Sequence, residues 1–180
     1  MKTLLYIGRF QPFHNGHLLA ATQAQAQCDT LVFGLGSSDA EPSAKNPFSV
    51  SERREMIRSS MGNDSFLDFI HLRDCPGDDS HWVKQVHAEM AKYGNDWALF
   101  GFNKDASSFY LKLFPEHPLV QYSGVVVPIN ATDIRREYFR PDVDMEQIAQ
   151  WVPSGTYREL KQIKEHDNGR WTLACKGAYL

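Results

Sequence analysis

Between residues 8 and 17 the chain reads Gly8-Arg9-Phe10-Gln11-Pro12-Phe13-His14-Asn15-Gly16-His17, with two imidazoles three residues apart among an arginine and two glycines. If both histidines sit in the first turn of a helix, their rings share one face. A helix N-terminus adds backbone N–H groups and partial positive charge. Gly16 removes a side chain where an approaching phosphate would collide. Together these groups make a compact anion site. A metal reading of His-x-x-His is weaker, because zinc asks for three or four ligands and no neighbouring cysteine or acidic cluster supplies them.

Other segments carry complementary groups. Thr132 and Arg135 are three apart at a predicted helix start, where a hydroxyl, backbone amides and a guanidinium can hold a polyphosphate; a surface helix with Arg135 and Arg136 solvated is the alternative. Arg53 and Arg54 lie in one helix, so one can turn to the site while the other is solvated. Lys104 and Asp105 follow the fourth predicted strand and reach the same sheet edge, although a surface ion pair would read the same way. Trp82 opens a helix after the polar loop 76–80 and is the aromatic placed to stack on a flat ring, with a core tryptophan as the equal alternative. Trp97, Trp151 and Trp171 read as packing residues. Gly34-Leu35-Gly36 is not a dinucleotide fingerprint, since Asp39 stands at the third glycine and no helix opens there.

Alternating elements must position these groups. Strands are predicted over residues 4–7, 31–35, 66–72, 97–100 and 119–127. Helices are predicted over 16–27, from a Ser49-x-x-Glu52 capping box to about Met61, and over 80–93 and 106–113. The alternation implies right-handed crossovers and an α/β fold: a doubly wound, Rossmann-like parallel sheet of about five strands with helices on both faces. Residues 134–139, 145–151 and 156–166 read as short helices divided by Pro141 and Pro153. The division expected is a domain over 1–140 and a small C-terminal helical extension over 141–180 packed on it, with 171–180 as a last strand or the stump of a linker.

The 180 residues are 42% hydrophobic and 23% charged, which excludes disorder, a fibrous repeat and two full domains. A net charge of −3 from 19 basic and 22 acidic side chains predicts no nucleic-acid or membrane partner, so an anionic ligand must be held by local groups. The opening MKTLLYIGRF is too polar for a signal peptide, and a cytoplasmic protein is expected. Cys28, Cys75 and Cys175, without a C-x-x-C pair, read as reduced thiols.

The stretch from Gly8 to His17 resembles the G-R-F-Q-P-F-H-x-G-H signature of the nucleotidyltransferase superfamily with the HIGH-type motif. Within it the chain most resembles the nicotinamide-nucleotide adenylyltransferases of the archaeal type and of bifunctional proteins carrying a Nudix domain. Asn46-Pro-Phe-Ser-Val-Ser-Glu-Arg53 resembles that family's N-P-F-x-x-x-E-R segment. Gly101-Phe-Asn-Lys-Asp-Ala-Ser-Ser-Phe-Tyr-Leu-Lys-Leu-Phe-Pro115 is similar to its G-x-x-K-D-x-S-S-x-Y-L-x-x-F-P segment. Ile129-Asn-Ala-Thr-Asp-Ile-Arg135 resembles its I-S-x-T-x-I-R element, with Asn130 in place of the serine. Motifs in this order cover about residues 2–140.

The resemblance implies attack of the nicotinamide mononucleotide phosphate on the α-phosphate of ATP. It implies catalytic roles for His14, His17 and Arg135, with His17 aimed at the α-phosphate and Thr132 beside Arg135 on the β- and γ-phosphates. ATP is expected against Gly8, Arg9, Phe10, Gly16 and Lys104, with the backbone around Gly101 and Phe102 reading adenine. Nicotinamide mononucleotide is expected against Arg9, Gln11, Asn46 and Arg53, with Trp82 on its ring. Mg2+ is expected bound through the ATP phosphates, with no metal site in the protein. A homo-oligomer is expected, and a Nudix domain only outside this chain. The alternatives are the same chemistry on nicotinate mononucleotide or phosphopantetheine, and a non-catalytic nucleotide-binding module.

Overall fold

The computed structural model describes residues 2–62, 65–101 and 106–166. Strand β1 (Thr3–Gly8) pairs with β2 (Thr30–Leu35) on one side and with β4 (Trp97–Gly101) on the other. β3 (Leu67–His71) and β5 (Leu119–Gln121) complete a parallel sheet of order β3-β2-β1-β4-β5. The expected five-stranded, Rossmann-like α/β fold is therefore present. Its strand order reverses between β1 and β4, the switch point beside which such sheets place ligands, at the carboxyl ends. Gly8 and Gly101 end those two strands.

The strands read as near-continuous apolar runs because a parallel sheet is covered on both faces. Leu5, Ile7, Val32, Ile70, Leu72 and Leu99 form one core with Val86 and Met90 of α3 (Asp79–Met90). Alternate residues build a row of aromatics on the opposite face. Phe100, Tyr6, Phe33 and Phe69 stand at matching register on four adjacent strands, with ring centroids 5.5–5.8 Å apart. Burial pushes the Tyr6 phenol well above the ordinary range, with nearby Tyr110 and Tyr122 adding to it.

Three elements depart from expectation. β5 ends at Gln121 rather than residue 127, and Val125 and Val126 are exposed. Tyr122 N–H still donates to the Gly101 carbonyl, but the Ser123 N–H donates to the Gln23 side chain instead, so the ladder stops. Ala106–Lys112 is a 3-10 segment rather than an α-helix, as short connectors often are. α1 (Asn15–Gln25) ends two residues early.

This sheet unit lies within residues 1–8, 19–39 and 65–125; a second compact unit lies within 9–18, 40–64 and 126–180. In the second, α2 (Val50–Met61) opens on the expected capping box, with Ser49 Oγ accepting from Glu52 N–H and Glu52 Oε2 accepting from Ser49 N–H. Its end is capped by Gly62 at φ +73°, a conformation glycine adopts without cost. α4 (Ala131–Tyr138) starts earlier than the predicted residue 134, because the Asn130 side chain accepts from Asp133 N–H and caps it. α5 (Met145–Trp151) has the expected bounds.

α6 (Ser154–His166) packs on α2. A Cβ on Gly155 would collide with the Ser59 and Ser60 backbone, so only glycine permits this approach. The contact is tied by Thr156 N–H donating to Ser60 Oγ at 3.0 Å, and Tyr138 O–H reaches the Leu160 carbonyl at 2.8 Å. Among the described residues Cys28 and Cys75 are free thiols, Cys175 and Trp171 lie outside them, and no helix is long and apolar enough to cross a membrane.

Candidate active site

The second unit contains the segment that enters α1. Residues 9–14 form no ladder, and Phe10 takes φ +51°, a left-handed conformation that costs a bulky residue on the order of 1–3 kcal/mol unless its surroundings impose it. Three buried polar side chains supply that constraint. Arg53 donates through its guanidinium to the Arg9 carbonyl at 2.8 Å. Gln11 donates to the Phe48 carbonyl and accepts from the Phe48 N–H, both at 2.9 Å. Arg135 donates to the Gln11 carbonyl at 2.7 Å and to the Ala44 carbonyl at 3.0 Å. Arg53, Gln11 and Arg135 are 1%, 2% and 4% exposed, and each satisfies backbone groups that would otherwise be orphaned.

The segment delivers its two histidines as a pair. His14 and His17 stack with ring centroids 3.6 Å apart at 24°. Phe10 meets the His17 ring edge-on at 5.0 Å and Phe13 lies nearly parallel to it at 5.7 Å. Gly16 N–H donates to His14 Nδ1 at 3.1 Å, and His14 N–H donates to His17 Nδ1 at 3.3 Å. A ring nitrogen that accepts carries no proton, so each neutral imidazole holds its proton on Nε2. Both rings are thus set as Nε2–H donors. Asn15 ties the same turn to α5 by donating to the Gln150 carbonyl.

Gly16 also has a reason within its own surroundings. A Cβ there would stand 3.1 Å from the His14 ring and from Val127 Cγ2, so the glycine makes room for the imidazole itself.

The other expected residues divide between the two units. Arg9, Phe10, Gln11, Asn46, Arg53, Thr132 and Arg135 belong to the histidine unit; Gly8, Gly101 and Trp82 belong to the sheet unit. Thr132 is exposed, and its hydroxyl accepts from Arg135 at 3.3 Å. Arg136 is solvated and pairs with Asp133. Asn46 Oδ1 is buried without a hydrogen-bond partner, an acceptor that lacks a donor. Trp82 is half-buried, with its ring edge-on to Tyr110 and Phe114. Phe102, Lys104 and Asp105 lie outside the described residues. Phe48 and Ala44, which accept from the clamp, were not singled out in the sequence; their contribution is main-chain, and the only signal was the place of Phe48 in the N-P-F stretch.

Residues 5–137 match the model of the cytidylyltransferase-like family. The chain belongs to that family. It is 47% identical over 174 residues to the nicotinamide-nucleotide adenylyltransferase of Thermococcus kodakarensis, covering 91% of this chain and 85% of that protein. It is 33% identical over 169 residues to the nicotinamide/nicotinic acid mononucleotide adenylyltransferase of Acinetobacter baylyi, covering 91% and 87%. Among solved structures it is similar to a bifunctional NMN adenylyltransferase/ADP ribose pyrophosphatase from Francisella tularensis, with a TM-score of 0.82 and 28% identity over 99% of this chain and 54% of that one. A second structure of that bifunctional protein, complexed with AMP and a manganese ion, gives 0.78 and 27% over 95% and 51%. The chain spans about half the length of these two structures.

For a cytidylyltransferase-like domain, the donor set defines what the site can do. Imidazole Nε2–H groups, guanidinium groups and the amide end of α1 favour anionic oxygen. No nucleophile paired with a base occurs among the residues of the clamp, so the arrangement is suited to binding and charge stabilisation rather than to a covalent intermediate.

Proposed function

We propose that this chain transfers the adenylyl group of ATP to nicotinamide mononucleotide, giving NAD and pyrophosphate. The observation that carries this reading is the stacked His14–His17 pair, with both protons set on Nε2 by backbone donors at the start of α1. An oxygen of the mononucleotide 5′-phosphate attacks the α-phosphorus in line, and the bond to the bridging oxygen breaks with its electron pair leaving on pyrophosphate. A phosphate monoester is mostly dianionic at neutral pH, its second pKa being about 6, so no general base is required. The barrier lies in bringing two anions together, and preorganised donors lower it.

In this reading His17 and His14 donate to the α- and β-phosphates. Arg135 has about five N–H donors and gives three to the clamp; the others, with the Thr132 hydroxyl, serve the β- and γ-phosphates. Arg9 and Arg53 act on the phosphates of the two nucleotides. Asn46 Oδ1 accepts from an amide or hydroxyl of the acceptor nucleotide, Gln11 keeps that side in place, and Trp82 offers its ring. Gly8, Phe10, Gly16, Gly101, Phe102 and Lys104 are assigned to ATP binding. Magnesium enters with ATP as part of the substrate, which suits a donor set of imidazole, guanidinium, hydroxyl and amide with few carboxylates. The manganese and AMP in the Francisella structure support a divalent ion. A domain over 1–140 with 141–180 as its extension, a cytoplasmic location and a homo-oligomer complete the proposal, which covers the adenylyltransferase half of the bifunctional relative.

The test is NAD formation from ATP and nicotinamide mononucleotide with pyrophosphate detection, run with nicotinate mononucleotide and phosphopantetheine alongside. NAD with stoichiometric pyrophosphate is expected. The name of the Acinetobacter relative includes both pyridine forms, so turnover of the nicotinate arm is compatible. Turnover of phosphopantetheine alone, or nucleotide binding by calorimetry with no turnover of any acceptor, would overturn the proposal.

A further inference from the structure

At the amino end of the sheet, away from the histidine pair in the chain, three further side chains converge that the proposed reaction does not use. His87 stands in the last turn of α3, and Glu116 and His117 lie in the turn that leads into β5. His87 Nε2 is 2.8 Å from Glu116 Oε1, and His117 Nε2 is 3.9 Å from the same oxygen. All three ligand atoms lie within 4.8 Å of one another. Four ligands at about 2.0–2.1 Å around zinc are separated by about 3.3 Å, so the observed distances bracket the edge of such a tetrahedron.

The orientation of His117 is set by the main chain. Its Nδ1 lies 2.9 Å from the Trp97 carbonyl. A carbonyl can only accept, so Nδ1 carries the proton and the neutral ring presents an Nε2 lone pair. That lone pair faces a carboxylate oxygen across 3.9 Å, so a cation placed between them, a proton or a metal ion, is drawn to both. A histidine whose second nitrogen is fixed on a carbonyl has the outer-shell arrangement that holds metal-ligating imidazoles in tautomer and orientation.

The ring is also rigidly held. His117 is 8% exposed and stacks on the Trp97 indole with centroids 3.4 Å apart at 15°. Its N–H donates to the Phe114 carbonyl, and Trp97 and Phe114 are core residues of the sheet unit. His87 packs its ring on the same Phe114 and Trp97. By contrast, the His87 and Glu116 side chains are 38% and 50% exposed, which leaves an entry path and a fourth position for water. Trp97 opens β4 and Gly101 ends it, so at about 3.3 Å per residue the cluster stands about 13 Å from the carboxyl end of that strand.

We propose that His87, Glu116 and His117 form a three-ligand site for a zinc-class divalent transition ion, with water in the fourth position. Two imidazoles and one carboxylate suit zinc, cobalt or nickel and do not suit magnesium, which prefers oxygen ligands. The ion would cross-link the end of α3 to the lead-in of the edge strand β5. It would therefore raise the thermal stability of the folded chain, because it binds the assembled site and not the unfolded one.

The full chain, stripped with a chelator and dialysed, is titrated with zinc chloride by calorimetry and with cobalt(II) by visible absorption. One equivalent of zinc, a raised Tm and the intense d–d bands of four-coordinate cobalt are expected. His87→Gln and Glu116→Gln change half-exposed side chains and should fold normally by circular dichroism. Each should lower the affinity tenfold or more and abolish the cobalt bands. His14→Ala/His17→Ala, which removes the other histidine pair, should keep both signals. Absence of binding by the parent chain, equal binding by the His87 and Glu116 variants, or signals lost only with the His14/His17 variant would each overturn the proposal. None of these readouts depends on adenylyl transfer, so this site and the proposed activity can fail separately.

Discussion

The aromatic face of the sheet and the segment that carries the histidines are held by different forces. On the sheet, Phe100, Tyr6, Phe33 and Phe69 stand in register because parallel pairing brings equivalent positions of neighbouring strands side by side. The backbone there satisfies itself through the ladder, and side chains have only to be apolar and fit. The segment 9–14 has no ladder. Its carbonyls are satisfied by the Arg53 and Arg135 guanidinium groups, and the Gln11 amide completes a pair of bonds with Phe48. A loop that holds Phe10 at positive φ thus depends on a few buried polar residues, whereas the sheet spreads its stability over many apolar ones.

That contrast makes opposite demands on mutants of the two regions. Phe33→Ala removes a fully buried ring and should cost about 3–5 kcal/mol of stability, while turnover of the folded fraction stays within a few-fold; chemical denaturation and a steady-state assay together check this. His17→Ala should do the reverse. Loss of a preorganised donor at the reacting phosphate is expected to lower kcat on the order of 100-fold or more, with the midpoint of unfolding near that of the parent. Should His17→Ala instead unfold the protein while keeping turnover, the two regions would not differ as described.

Gln11→Ala tests the clamp itself. It leaves the buried Phe48 N–H and carbonyl without their partner, at about 1–3 kcal/mol for each orphaned group, and it frees the strained segment. Stability and kcat should fall together, which neither of the first two variants shows. The smallest effect concerns Glu159 on α6, where partial burial, and then Glu55 on α2, hold the carboxyl above the ordinary glutamate range. A folded pKa above the unfolded one means that its contribution is present below the ordinary value of about 4.3 and is lost as pH rises through the raised value. Glu159→Gln should therefore gain stability at neutral pH and not in acid. Because the group is only half-buried and solvent screens it, the gain should be under about 0.5 kcal/mol; Tm measured against pH checks it.

Legibility followed the range of the interaction. The Ser49–Glu52 box spans one helical turn, so the start of α2 could be read directly. The α5 bounds and the parallel sheet were equally accessible, since periodicity and strand–helix alternation are local patterns. β5 was overrun because its end depends on Gln23, one hundred residues away, taking the Ser123 N–H. The packing reason for Gly16 was missed because it rests on the rotamer of His14 and on distant Val127.

Residue types in order thus determined the class of fold and the imidazole pair at the start of α1, because each depends on neighbours within a few residues. Tertiary structure alone decided which backbone carbonyls Arg53 and Arg135 would hold, and that His87 would meet Glu116 and His117. Those outcomes depend on groups brought together from 29 to 124 residues apart, and no local pattern records a hydrogen bond whose acceptor is a distant main-chain carbonyl.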